Sequence, residues 1–162
     1  MRLQQSAILL FLLATSLRGD AQPPSGGGVH KLSATLGTKV GCFPAEGIET
    51  GDAAKGPSII VERWSPGCII PWHWHTPNEH VMMVSGALNF EIKGEKPTRV
   101  TAGDFVLIPS HQISRAKCVS TQPCIDFLYT DAPFDVHFVD PAGKEISRDD
   151  ALKLNKNVPS AR

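Results

Sequence analysis

Residues 67–86 read GCIIPWHWHTPNEHVMMVSG, and the interpretation of the whole chain turns on them. Side chains alternate between the two faces of an extended strand, so His73 and His75 project the same way. Thr76, Pro77 and Asn78 make a turn, and the next strand returns Glu79 beside the two histidines. Two imidazoles and a carboxylate on one face leave coordination positions open. That donor set is the pattern of non-haem Fe(II) sites, and Mn, Zn, Ni or Cu also suits it. The competing reading is a pair of buried, hydrogen-bonded histidines with no metal. Glu79 weighs against it, because a lone charge lining an interior is costly and a cation relieves that cost. His80 faces the opposite way, toward a surface or an interface. Trp72 and Trp74 alternate with the histidines and point outward, for packing against an outer layer or a partner. Cys68 has the wrong parity for a ligand and is read as packing or a disulfide.

Outward from this stretch, short apolar runs alternate with turn signals. Strands are expected over 58–64, 68–74, 80–84, 87–93, 98–101, 105–108, 113–119, 125–129 and 136–139. Ser85 and Gly86 between two of these runs suggest a hairpin, and Gly86 and Gly103 read as turn glycines needing unusual backbone angles. Met82, Met83, Phe90, Phe105 and Leu107 are expected in the core or a pocket wall. His30 and His137 carry no motif and are read as structural or exposed. With 14 Gly and 13 Pro in 162 residues, many close turns favour an all-β, single-domain sandwich or barrel over a helix bundle. Residues 147–152 can start a short helix with Ser147 as its cap, inside a polar C-terminal tail over 142–162.

The chain carries 16 basic and 16 acidic residues. Formal neutrality without a basic block excludes nucleic acid as the main partner. Residues 1–21 read as a signal peptide: Arg2, a short apolar run over 7–13, and small residues Gly19 and Ala21 ahead of a cut after Ala21. The run is too short to span a bilayer comfortably, so no membrane association is expected after cleavage. Residues 22–39 have the composition of a flexible N-terminal segment, and the β domain is placed at 40–141. Export, to the periplasm or out of the cell, permits disulfides between the four cysteines Cys42, Cys68, Cys118 and Cys124. Three connectivities exist. Cys118 and Cys124, flanking the turn VSTQP, form the favoured pair.

The spacing of the central stretch resembles the first motif of the cupin superfamily: glycine, five residues, histidine, one residue, histidine, three or four residues, glutamate, six residues, glycine. Gly67, His73, His75, Glu79 and Gly86 match every fixed position. Gly103 and Pro109 match the opening of the second motif. A narrower likeness to small single-domain cupins (cupin type-2, ChrR-like) rests on looser features, including residues 134–141. The resemblance implies an antiparallel β-barrel or jelly roll, a divalent transition metal held by His73, His75 and Glu79, and a homodimer formed by sheet packing. It also implies a small-molecule ligand or substrate. The second motif then departs from the pattern. Its glycine and histidine positions hold His111 and Ser114, so the usual fourth ligand is absent from its place. Either His111, if the loop bends inward, or Ser114, with water or substrate, would complete the site. Two functions remain open. One is a metalloenzyme, oxygenase-like or isomerase-like, on a small organic molecule, with the metal activating dioxygen or polarising a substrate oxygen. The other is a module that binds or senses a metal or small ligand without turnover. No general base stands out, although the resemblance lets a ligand such as Glu79 take that role.

Overall fold

The computed structural model describes residues 28, 29, 31 and 45–156. The expected signal peptide, most of the 22–39 segment, His30 and Cys42 lie outside these residues. Ten strands run in order: β1 (Ala45–Gly51), β2 (Ser58–Trp64), β3 (Ile69–Trp74), β4 (Glu79–Ser85), β5 (Ala87–Ile92), β6 (Thr98–Thr101), β7 (Phe105–Ile108), β8 (Ser114–Cys118), β9 (Cys124–Thr130) and β10 (His137–Phe138). They form two antiparallel five-stranded sheets, ordered β1-β2-β9-β4-β7 and β10-β3-β8-β5-β6. Apart from the pairs β1-β2 and β5-β6, successive strands cross from one sheet to the other, which gives a jelly roll rather than a closed hydrogen-bonded barrel.

Alternation decides which side chains enter the space between the sheets. On β9, Cys124, Asp126, Leu128 and Thr130 are buried and the residues between them are not. On β8 the same holds for Ser114, Ala116 and Cys118. Trp64, Met83, Leu88, Val100, Ala116, Cys118 and Cys124 form the apolar core, drawn from both sheets. A disulfide joins Cys118 to Cys124, as the intervening turn suggested. Because β8 and β9 lie in different sheets, this bond ties one sheet to the other. Cys68 is buried and disulfide-bonded as well.

Three expectations need correcting. The runs around Ser85-Gly86 do not form a hairpin, since β4 pairs with β7 and β9 while β5 pairs with β6 and β8. Gly86 is instead the crossing point between sheets. Its φ is +77°, and a Cβ there would lie 2.8 Å from the Cys124 Cα, so any side chain meets both a strained backbone angle and a neighbouring strand. Second, β1 (AEGIETG) has no apolar alternation to announce it; it forms by pairing with β2. Third, Met82, Phe105 and Leu107 are not core. They are 54%, 55% and 51% exposed and share the outer face of the first sheet with His80, Val84 and Tyr129. Met83 and Phe90 do face inward.

Among the described residues one helix, α1 (Arg148–Lys156), follows the last strand and packs on β3. Ser147 caps it as expected: its Oγ accepts from the Asp150 N–H at 3.2 Å and donates to the Asp150 carboxylate at 2.8 Å. Among the described residues no helix is long and apolar enough to cross a membrane.

Candidate metal centre

The structure brings His73, His75 and Glu79 together, all buried, with one ligand atom from each lying within 4.8 Å of the others. His73 sits near the end of β3, opposite Ser114 of β8. Pro71 has no N–H to give the sheet, and the β3–β8 register shifts between Ile70 and His73. The Pro71 carbonyl turns this to use by accepting a 2.7 Å hydrogen bond from His73 Nδ1. His75 follows the strand, and its Nδ1 donates to the Asp135 carbonyl. Asp135 is itself fixed, its carboxylate accepting from the Thr76 N–H at 2.7 Å.

Glu79 opens β4, paired with Thr130 on one side and Ile108 on the other. The turn between His75 and Glu79 is clamped. Asn78 donates from its backbone and side-chain nitrogens to the two Asp131 carboxylate oxygens, at 3.0 and 2.6 Å. Ser110 donates its N–H to Asn78 Oδ1 at 2.9 Å and its hydroxyl to the Thr76 carbonyl at 2.5 Å. These bonds set His75 Nε2 3.3 Å from Glu79 Oε1.

The hydrogen bonds fix the imidazole tautomers. A backbone carbonyl only accepts, so Nδ1 carries the proton in both rings and Nε2 keeps a lone pair. A metal-binding histidine is oriented in this way, its other ring nitrogen donating to a carbonyl or carboxylate behind it. Burial pushes the His73 imidazole down to about 4. Burial, followed by the neighbouring His73, pushes His75 down to about 3. Both rings are therefore neutral at neutral pH, as ligands must be. Glu79 is pushed the other way, up to about 8, first by burial and then by the nearby Asp126 carboxyl. A cation at this point would reverse that shift and hold Glu79 as the anion. Two neutral imidazoles with free Nε2 lone pairs and one carboxylate fit a divalent transition metal.

Neither alternative for a fourth protein ligand places another nitrogen there. His111 is exposed, with a φ of 62°; its ring stacks on Trp74 and its Nδ1 bonds the Ser110 hydroxyl. Ser114 does enter the interior, fully buried beside His73, and its hydroxyl has no hydrogen-bond partner. The outward reading of the tryptophans holds. Arg115 lies over the Trp72 ring at 4.5 Å, and Trp74 stacks between His111 and His137. His80 contacts Phe105 and Tyr129 on the outer face. His137 lies outside, bonded to Glu145 at 2.6 Å.

A cavity of about 80 Å³ adjoins the triad, room for roughly half a dozen waters or one small ligand. Its wall is mainly apolar, including Ile70, Val81, Leu128, Phe134 and Phe138, with Glu62, Ser114 and Asp126 as further polar members. The sequence reading singled out neither Glu62 nor Asp126. Each lies in a β-alternating run, and inward parity was the one signal available. They face each other across β2 and β9. Burial lifts the Asp126 carboxyl to about 7, with Glu62 and Trp64 beside it pulling the other way.

A family model for the cupin domain matches residues 60–127. No curated protein matches the chain. Among solved structures, a conserved protein of Klebsiella pneumoniae with a double-stranded β-helix domain aligns at a TM-score of 0.58 and 16% identity, covering 68% of this chain and 97% of that one. The polyketide cyclase RemF of Streptomyces resistomycificus aligns at 0.55 and 17% identity, covering 70% and 78%. The DMSP lyase DddQ of Ruegeria pomeroyi aligns at 0.53 and 20%, covering 63% and 54%. Residues 60–127 carry a cupin domain.

Proposed function

We propose that this cupin domain binds one divalent first-row transition metal through His73 Nε2, His75 Nε2 and Glu79, and acts on a small organic molecule seated in the adjoining cavity. The observation that carries this is the tautomer of both imidazoles: each Nδ1 is tied to a backbone carbonyl, leaving two buried lone pairs beside a carboxyl. When bound, the metal would supply Lewis-acid or oxygen-activating chemistry, as an oxygenase or isomerase uses. The chain's own contribution is orientation and exclusion of water. The Asn78–Asp131–Ser110 clamp holds the His75-to-Glu79 turn, and the apolar wall surrounds the substrate body. Two structural neighbours of this fold are enzymes, a polyketide cyclase and a DMSP lyase, which supports catalysis by analogy of fold.

Ser114 in place of a fourth ligand favours a second reading, a domain that holds a metal or ligand without turnover. Incubation of metal-loaded protein with phenolic and dicarbonyl compounds separates the two. Dioxygen consumption or a converted product supports the enzyme. Saturable binding with every compound recovered unchanged supports the binding module.

Export and self-association belong to the same proposal. The disulfide-bonded Cys118, Cys124 and Cys68 accord with an oxidising compartment, periplasmic or extracellular. The apolar outer face of β4, β7 and β9 suits a homodimer.

A further inference from the structure

Four buried polar atoms lining the cavity meet no partner at full hydrogen-bond geometry: Trp64 Nε1, Ser114 Oγ, and Oδ1 and Oδ2 of Asp126, with Trp64 and Glu62 standing close enough to Asp126 to pull its carboxyl down. Their residues are 4%, 0% and 0% exposed. Folded proteins leave few such atoms unsatisfied, because each costs the desolvation of a polar group. Three of these atoms come from the first sheet, on β2 and β9, and one from the facing sheet, on β8. They are chemically mixed. The indole N–H only donates, the serine hydroxyl does both, and a carboxylate accepts. A bare cation would satisfy the carboxylate and leave the indole worse off. A group that both donates and accepts can meet one Asp126 oxygen and the indole N–H together, and the surrounding wall of Ile70, Val81 and Leu128 suits a ligand with an apolar body.

We propose that Trp64 and Asp126, with Ser114 on the opposite wall, form a subsite that recognises a hydroxyl group on the small organic ligand of this domain. The subsite rests on the reading of the triad as a metal centre, which holds the ligand's other end. None of its three residues belongs to that triad. The hydroxyl donates to an Asp126 oxygen and accepts from the Trp64 indole N–H, and Ser114 meets the ligand near His73.

The test is calorimetric titration of the full chain, loaded with Zn(II), with pairs of acids differing by one hydroxyl: acetate and glycolate, butyrate and 3-hydroxybutyrate, benzoate and 3-hydroxybenzoate. At least one hydroxylated acid should bind about tenfold more tightly than its parent, as one net hydrogen bond in a dry site provides. In Trp64→Phe and Asp126→Leu that preference should fall below roughly threefold, with Zn(II) affinity in the absence of any acid unchanged in Trp64→Phe. Equal binding within every pair, no binding of any acid, or a preference that survives both substitutions overturns the subsite. Should Asp126→Leu fail to fold, Trp64→Phe alone carries the test, and a preference that survives it overturns the subsite. A wild type that takes up no Zn(II) overturns the metal reading instead, and melting shifts of the metal-free protein with the same pairs then decide the subsite.

Discussion

Lowering the pH from 8 to 6 should weaken metal uptake about 50-fold, and one proton should account for all of it. His73 and His75, at about 4 and about 3, are already neutral throughout this interval, so the metal displaces no proton from them. Glu79, at about 8, still holds its proton over most of it. Each pH unit below that value then costs a factor of ten in apparent affinity, about 1.4 kcal/mol. Affinity should therefore rise tenfold per unit from pH 5 to 7.5 and level off above 8. Titration of Zn(II) in buffers of differing ionisation enthalpy counts the released protons directly, and Glu79→Gln should flatten the slope while weakening binding. Release of two or more protons per metal between pH 5 and 6.5 would mean ionised imidazoles, and no pH dependence would mean that Glu79 is not a ligand. Either result refutes the electrostatic account of the site.

The same buried groups shape stability without metal. Glu79 and Asp126 titrate above their ordinary values, so the folded state holds more protons and stability falls as pH rises from 6.5 to 8. His73 and His75 titrate below theirs, so stability falls as pH drops below 6.5. The four contributions offset one another between about pH 4.5 and 6.5, where melting temperature should be flat; a melting temperature that climbs from pH 6.5 to 8 in metal-free protein contradicts this. Gly86→Ala should cost at least ~2 kcal/mol in denaturant unfolding, from its positive φ and its contact with Cys124, and a loss under about 0.5 kcal/mol would show that the crossing tolerates a side chain. Phe105→Lys with Leu107→Glu should convert a dimer to a monomer in sedimentation without unfolding it, whereas a wild type already monomeric at high concentration rejects that face as an interface.

The inward-facing half of this structure was readable because strand alternation is a geometric constraint on the chain. Parity alone set His73 and His75 together, turned Trp72, Trp74 and His80 away, and kept Cys68 out of the triad. Pairing was less legible. Ser85-Gly86 looks like a hairpin turn from its residue types, yet Gly86 serves a crossing between sheets, and what distinguishes the two is the Cys124 strand packed against it. The strand β1 was invisible because its pairing partner, not its composition, makes it a strand. Asp126 and Glu62 escaped for a related reason: each is an acidic residue in a strand with no motif around it, and it gains meaning only when β2 and β9 set the two carboxyls side by side. The carbonyls of Pro71 and Asp135, which fix the imidazole tautomers, are backbone atoms and leave no mark on residue type.

Everything said about function depends on a cation residing between the two rings and the acidic side chain. Elemental analysis of protein dialysed against each first-row metal, beside His73→Ala and His75→Ala, addresses that directly. The account expects one equivalent of some divalent ion per wild-type chain, and at least ~100-fold weaker retention in either variant, since loss of a supporting contact alone costs 10–100-fold. Substoichiometric content for every metal, or equal retention by the folded alanine variants, would contradict it.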